Sequence, residues 1–186
     1  MKTLLLIALM IFPSMLFAQS DTTQYNLPYV SGGVVYEKTL DRPGFSKLEI
    51  FGASKKWIAD TFNNGKSVIQ FEDKDQGRII GKASTTVTTN GGTWGLVTST
   101  NLEFKLQIDC KDNKYRIRLY DIIQISPSYS VVSNVSLESL DEKSRGFKNK
   151  KRLELWNSHV KSINSEFYSL ALSLDMVIIN AKSDAF

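Results

Sequence analysis

The chain has 186 residues, of which 42% are hydrophobic and 23% are charged, a composition that indicates a domain with a conventional core and excludes a largely disordered or fibrous chain. Its formal net charge of +4 is too small to identify a partner. Cys110 is the only cysteine, so the chain cannot form an internal disulfide and does not belong to the small, disulfide-stapled proteins.

The first 18 residues have the pattern of a secretory signal peptide. Lys2 precedes an apolar run from Leu4 to Phe12, and Ala18 lies immediately before Gln19. We therefore predict cleavage between residues 18 and 19 and export to the periplasm or the extracellular space. The run is shorter than the roughly 20 residues of a membrane-spanning helix, so we expect no stable membrane anchor. Export also separates the protein from nucleic acid, and we expect no nucleic-acid partner.

The first elements follow from short local signals. We expect a flexible lead-in over residues 19–29, a single domain over residues 30–180 and a C-terminal tail over residues 181–186. Residues 34–40 predict a strand, which the Pro and Gly of residues 43–44 end. Ser46 and Glu49 have the spacing of a capping box, so a helix begins there. The Asn-Asn-Gly sequence of residues 63–65 ends it.

Four strands should follow this helix. Residues 67–72 and 78–87 predict a hairpin. Residues 102–110 and 115–125 alternate apolar and polar side chains, and a turn at residues 112–113 gives a register whose apolar faces coincide. It pairs Cys110 with Tyr115, Ile108 with Ile117, Leu106 with Leu119, Leu102 with Ile123 and the charged Asp109 with Arg116.

Asp121 is the one residue that does not fit this register, because it falls on the core face opposite Phe104. A β-bulge would turn its side chain away from the core. The alternatives are that Asp121 caps a backbone group or has a role that the pattern does not reveal.

The C-terminal third predicts one long helix. Residues 126–147 are rich in serine and lack a sustained period, so we expect a surface crossing with one short strand or turn. Apolar side chains then recur at spacings of three and four over about 36 Å, longer than a typical strand of about 17–20 Å. We expect part of the helix to extend past the sheet. We hypothesise that its half from Phe167 onward contacts another subunit or a partner, the alternative being that it packs within the chain alone. The apolar seam comprises Leu153, Trp156, Val160, Ile163, Phe167, Leu170, Leu174 and Val177.

The order strand, helix, four strands, helix is that of one lobe of the TATA-box-binding-protein (TBP) fold. The segments at residues 27–38 (LPYVSGGVVYEK), 66–74 (KSVIQFEDK) and 114–121 (KYRIRLYD), together with the signal peptide, resemble the domain of unknown function 4468 (DUF4468) family of exported bacterial proteins. The resemblance implies an α+β, TBP-like lobe with the order β-α-β-β-β-β-α, in which a curved, antiparallel five-stranded sheet carries both helices on one face. It implies no activity and no catalytic residue.

The sequence offers little catalytic chemistry. His159 is the only histidine, and it flanks the apolar seam of the last helix rather than lying beside a nucleophile. A zinc site would need further ligands, and the acidic turn at residues 72–75 lacks the spacing of a calcium loop. Cys110 ends an apolar strand face, which is typical of a buried, inert thiol. We therefore predict no catalytic residue, no metal site and no cofactor.

Three features are candidate partner-binding sites. Trp94 lies in a glycine-rich segment, where an exposed indole would stack on a sugar or anchor a partner, unless it folds back on the sheet edge. A basic run precedes the last helix, where an acidic partner, an envelope lipid or solubility would explain it. Leu172 and Met176 add apolar area outside the seam. The basic candidates for binding are Lys148, Lys150, Lys151 and Arg152.

These observations favour an exported, non-enzymatic interaction or ligand-binding module whose partner is a protein, a peptide or a glycan. The alternative is an exported hydrolase that acts on envelope or extracellular material. The outward faces of the fourth and fifth strands carry both charge signs, which argues against a DNA-binding saddle. The last helix is a candidate for homo-oligomer formation.

Overall fold

The structure, a computed structural model, describes residues 25–62, 65–90, 97–127 and 132–182. A six-stranded antiparallel sheet forms one layer, and helices pack on one of its faces. The elements in chain order are β1 (Tyr29–Val30), β2 (Gly33–Val34), β3 (Tyr36–Asp41), α1 (Lys47–Thr61), α2 (Gly65–Val68), β4 (Ile69–Asp73), β5 (Arg78–Asn90), β6 (Val97–Lys111), β7 (Lys114–Pro127), β8 (Val132–Ser136), α3 (Leu137–Arg145) and α4 (Lys150–Asn180).

The strand order of the sheet is β3-β7-β6-β5-β4. Strand β8 pairs with β7 on the same side as β3, since β3 pairs with residues 114–119 and β8 with residues 123–127. All five predicted strands are present, but the second begins at Ile69 rather than at residue 67, because residues 65–68 form the short helix α2. The sixth strand and α3 arise from the segment that the sequence predicted as a surface crossing with one short strand or turn. A separate two-stranded hairpin, β1-β2, precedes the sheet.

Helix α1 begins as its capping box predicts. The Ser46 hydroxyl accepts a hydrogen bond from the Glu49 amide, and the Ser46 amide donates to the Glu49 carboxylate at 2.7 Å. The helix ends at Thr61, and part of the predicted Asn-Asn-Gly terminator, residues 63–64, lies outside the described residues. Its buried face, which includes Trp57 and Ile58, packs on the core side of the sheet. The cap thus fixes where this apolar face starts.

A β-bulge in β7 corrects the predicted register. The pairs from Cys110–Tyr115 to Leu106–Leu119 are confirmed, but Glu103 rather than Leu102 pairs with Ile123. Asp121 and Ile122 together face the single residue Phe104. Asp121 has a left-handed backbone (φ 51°) and its side chain forms an ion pair with Lys105 at 2.8 Å, whereas Ile122 is fully buried. Of the three explanations for Asp121, the bulge that turns its side chain outward is confirmed.

Helix α4 packs on the core through the middle and the end of the predicted seam. Phe167 and Leu174 are fully buried, whereas Leu153, at 40% exposure, lies beyond the core. The helix therefore extends past the core, as expected for part of it, at its N-terminal end. Its half from Phe167 onward packs on the core through Phe167, Leu170 and Leu174, and the contact of this half with a partner stays a prediction. This half remains over the sheet because β5, β6 and β7 have 13, 15 and 14 residues, more than the usual five or six.

The core begins earlier in the chain than the predicted domain. Leu27 is buried in the core cluster although the sequence assigned it to the flexible lead-in. The backbone carbonyl of Pro28 accepts a hydrogen bond from the Val35 amide at 2.9 Å, and that of Asn26 accepts one from Asn164 of α4 at 3.1 Å. These contacts attach residues 26–28 to β3 and to the last helix.

Asp175 holds the C-terminal half of α4 against the sheet edge. Its carboxylate forms an ion pair with Arg42, whose Nε donates at 2.7 Å, and accepts a hydrogen bond from the Tyr115 hydroxyl at 2.9 Å. The hydrogen bond that Arg42 donates to Asp175 is the main reason why the pKa of Arg42 is raised. Burial and then the same carboxylate raise the pKa of Tyr115. Three elements thus meet at one half-buried charge.

Replacing Asp121 tests the bulge. Asp121→Gly removes the Cβ from a left-handed residue and should leave stability nearly unchanged, since the exposed pair with Lys105 contributes little. Asp121→Val places a β-branched side chain at positive φ and should lower the free energy of unfolding by about 1–2 kcal/mol. Urea denaturation measures both. Equal midpoints for the two variants would contradict the bulge geometry.

Replacing Asp175 tests the anchor of α4. Asp175→Asn keeps the shape but removes the charge that binds Arg42 and Tyr115, and we expect a loss of about 2 kcal/mol in the free energy of unfolding. Asp60→Asn is the matched control, because its ion pair with Lys56 is exposed on both sides and should change stability little. Similar losses in the two variants would show that Asp175 is not an anchor.

Candidate functional site

The basic run lies at the exposed N-terminal end of α4. Residues 143–152 contain six cationic side chains and no acidic one. All four predicted binding residues of the run are exposed, and cations at a helix N-terminus oppose its dipole. Asn149 offsets part of this cost, because its side chain caps the helix by accepting from the amides of residues 151 and 152. The four residues are Lys148, Lys150, Lys151 and Arg152.

Two of these cations have identified neighbours. Lys150 lies 3.8 Å from the Glu154 carboxylate, and the Arg152 guanidinium lies 5.9 Å from the centre of the Phe147 ring. Within the described part of the chain, Lys148 and Lys151 form no ion pair. The run is therefore a solvent-facing basic surface.

Leu172 and Met176 are exposed, at 52% and 56%, on the face of α4 that points away from the core. Tyr168 and Ile179 lie on the same face at helical spacing and are 50% and 42% exposed. We call these four residues the α4 stripe. The Tyr168 ring also contacts the Tyr36 ring edge-on, at 5.4 Å between centroids, so the stripe adjoins the edge strand β3.

The structure does not bring the predicted sites together. Arg152 of the basic run and Tyr168 of the α4 stripe are 16 residues apart in α4, which is about 24 Å along the helix, so the two surfaces lie near opposite ends of α4. Trp94 falls in residues 91–96, which lie outside the described residues. The sequence period placed Leu172 and Met176 outside the seam correctly, and the same period would have added Ile179 to them.

His159 and Cys110 occupy structural positions. The His159 Nδ1 lies 2.9 Å from the Thr89 hydroxyl, and burial lowers the pKa of this histidine. Thr89 is only 6% exposed, so its hydroxyl is inaccessible to a substrate. Burial raises the pKa of Cys110 to about 12, which keeps it a thiol. Among the described residues, no group of three or more side chains has the placement of a metal site.

The sheet face opposite the helices, which we call the open face, carries paired charges. Arg78 and Arg116 both donate to Asp109, whose side chain is 15% exposed. The sequence predicted the Asp109–Arg116 pair, which is confirmed, but not the second arginine, which comes from β5. The remaining pairs on this face are Lys82–Glu103, Lys105–Asp121 and Arg118–Glu37.

Asp109 is the most highly coordinated carboxylate of the open face. Its oxygens accept hydrogen bonds from Arg78 at 2.6 Å, from Gln107 at 2.8 Å and from Arg116 at 2.8 and 3.2 Å. Burial acts to raise the pKa of Asp109, but these hydrogen bonds outweigh it and hold the pKa below its ordinary value. The carboxylate therefore stays ionised and fixes both guanidinium groups.

None of the helices within the described ranges combines the length and the hydropathy that crossing a membrane requires.

The pH dependence of stability tests the burial of His159. Its pKa is lowered in the folded state, so below the ordinary value of about 6.5 the unfolded chain binds more protons, and stability falls as the pH decreases. We expect urea denaturation midpoints to decrease between about pH 7.5 and pH 5.5, and to decrease less in His159→Gln. The chain has no other histidine. Identical slopes in the two proteins would contradict the buried, neutral imidazole.

Comparison with known proteins identifies the domain. Residues 36–124 match the family described as "Domain of unknown function (DUF4468) with TBP-like fold", and no curated protein is significantly similar in sequence. A TBP-like protein from Parabacteroides distasonis superposes with a TM-score of 0.59 at 20% identity, covering 80% of this chain and 97% of its own. A DUF4468 family protein from Bacteroides ovatus gives 0.61 at 21% identity, covering 84% and 96%. The predicted resemblance to the DUF4468 family and the predicted TBP-like fold are confirmed.

Proposed function

We propose that this protein is an exported, non-enzymatic module that binds a protein partner through the α4 stripe. The observation that carries the proposal is the exposure of four large apolar side chains on one helix face. Single exposed apolar residues are ordinary, whereas a contiguous group indicates an interaction surface. From Tyr168 to Ile179 the stripe extends about 17 Å along the helix.

The α4 stripe is rigid before any partner binds. The opposite face of the same helix segment is buried, with Leu174 and Ile178 fully excluded from solvent. The ion pair between Asp175 and Arg42 holds the segment to the sheet edge. Because the backbone of the helix is already ordered and little backbone freedom remains to be lost, binding at this surface costs less conformational entropy than binding at a loop.

The surroundings of the α4 stripe suit a protein interface. Ser165, Ser169 and Asn180 are exposed on the same side of the helix and give the apolar stripe a polar rim. The neighbouring edge strand carries Glu37 and Asp41, which are exposed and discourage pairing with a foreign strand. The helix face rather than the strand edge is therefore the surface that we propose for the partner.

The basic run has a secondary role in this proposal. Its nearest residue, Arg152, lies about 24 Å from Tyr168 of the stripe along α4, and the run stays solvated, so it adds little to the affinity of a complex centred on the stripe. A cationic surface at that distance instead steers an acidic partner and raises its association rate. The hydrolase alternative gains no support from His159, since its neighbour Thr89 is buried.

Single substitutions on α4 test the proposal. Leu172→Glu and Met176→Glu place a charge in the stripe, whereas Leu155→Glu does the same at a leucine of similar exposure, 45%, outside it. We expect melting temperatures within about 2 °C of each other, because all three positions are exposed. The molar mass in solution reports self-association, and crosslinked capture from the cell envelope reports another protein.

The expected result is an association that Leu172→Glu and Met176→Glu remove and Leu155→Glu retains. Self-association would make the partner a second copy of this chain, and capture of another protein would make it a different chain. Association that is equal in all three variants, or absent from the wild-type protein in both measurements, would contradict the proposal.

A further inference from the structure

A small polar cavity lies at the end of the open face, beside the turn between β6 and β7. Its volume is about 280 Å³, at the lower end of the range of small-molecule sites. Four cationic side chains and one carboxylate line it, which gives a lining charge of +3. These residues are Arg78, Lys111, Lys114, Arg116 and Asp109.

Asp109 holds the two arginines of the cavity in place without neutralising the positive charge of the lining. The two arginines are its direct cross-strand neighbours, Arg78 on β5 and Arg116 on β7. Each uses its Nε to reach the carboxylate, so both guanidinium planes are held in fixed positions. The lining therefore contains one negative charge, that of Asp109, and four positive charges, from two arginines and two lysines.

Hydrogen-bond donors remain available after these contacts. Arg78 donates to Asp109 through Nε alone, and within the described residues its two terminal amino groups have no hydrogen-bond partner. The second terminal amino group of Arg116 lies 4.0 Å from the Glu37 carboxylate, too far for a hydrogen bond. The Thr39 and Gln76 side chains add neutral polar groups to the lining.

Lys111 and Lys114 are directly opposite each other across the β6-β7 turn. Like charges in that position repel and destabilise a strand pair. Lys82 and Lys105 are also opposite each other, but those two lysines form ion pairs with Glu103 and Asp121. Within the described residues, neither lysine of the cavity forms an ion pair. The repulsion at the cavity is therefore uncompensated.

Two further carboxylates lie near the cavity and do not fill it. Asp41 pairs with Lys114 in the β3-β7 register, but no ion pair forms between them. Asp73 pairs with Arg78 in the β4-β5 register, and one of its oxygens accepts from the amides of Asp75 and Gln76. The cationic lining thus stays open to an incoming anion.

We propose that this cavity binds a phosphate group. A guanidinium presents paired donors that match the oxygens of phosphate, and an ammonium adds a point charge. A tetrahedral phosphate dianion can accept hydrogen bonds from both arginines and both lysines at once, whereas a planar carboxylate monoanion accepts fewer hydrogen bonds. The volume suits a phosphate that carries a small substituent. The cavity and the α4 stripe lie on opposite faces of the sheet, so this proposal is independent of the stripe.

Calorimetric titration of the full-length protein at fixed ionic strength tests the site. The probes are inorganic phosphate, glycerol phosphate and acetate. Lys111→Gln/Lys114→Gln removes two charges from the lining, and Lys82→Gln/Lys105→Gln removes two charges from the same face outside the cavity. We expect the first variant to bind phosphate about tenfold more weakly than the wild-type protein and the second to bind it with little change. Acetate should bind more weakly than either phosphate probe.

Thermal melting provides a second measurement. Phosphate should raise the melting temperature of the wild-type protein and of the Lys82/Lys105 variant, since a ligand that binds only the folded state stabilises it. At the same phosphate concentration it should raise the melting temperature of the Lys111/Lys114 variant less. Tighter binding of glycerol phosphate would identify the source as an organic phosphate, and equal binding would identify it as free phosphate. No binding at millimolar phosphate, equal losses in both variants, or acetate binding as tight as phosphate would overturn the proposal.

Discussion

The pairing of β6 with β7 is the constraint on which the other surfaces depend. Leu106, Ile108, Ile117 and Leu119 are fully or almost fully buried on one face of this pair. A shift of one residue would send every one of these side chains to solvent, so the register is strongly determined. The same register places Asp109 beside Arg116 on the other face. Burial of the apolar side chains in the core therefore also determines where the charged side chains of the open face lie.

The bulge at Asp121 lies where the long strand β7 changes the strand with which it pairs. Before the bulge β7 pairs with β3, and after it the same side pairs with β8. The extra residue turns Asp121 outward and Ile122 inward, so that Ile122 rather than Asp121 lies in the core. An aspartate suits this position because its short polar side chain tolerates the left-handed backbone better than most non-glycine residues do.

Local sequence patterns predicted the structural features that are determined by residues close together in the chain. The capping box located α1, and alternation with a two-residue turn located the β6-β7 register up to Tyr120. Beyond that point one inserted residue made the pairing of Leu102 with Ile123 wrong. The short, serine-rich α3 has too few apolar positions to show a period. Arg78 joins Asp109 only through the β5-β6 register, over 31 residues of sequence, which no local signal reveals. The cavity on the open face is missed for the same reason.

Tyr115 connects the two proposed binding surfaces. It is one of the residues that line the cavity of the open face, and its side chain crosses the core layer to donate to Asp175 of α4. Asp175 lies between Leu172 and Met176 in sequence and anchors that part of the helix. A substitution at Tyr115 would therefore disturb both surfaces, and its effect could not be assigned to either one. Lys111 and Leu172 each belong to one surface, are exposed, and form no side-chain hydrogen bond or ion pair with Asp175 among the described residues. Their variants consequently separate phosphate binding at the sheet from partner binding at the helix.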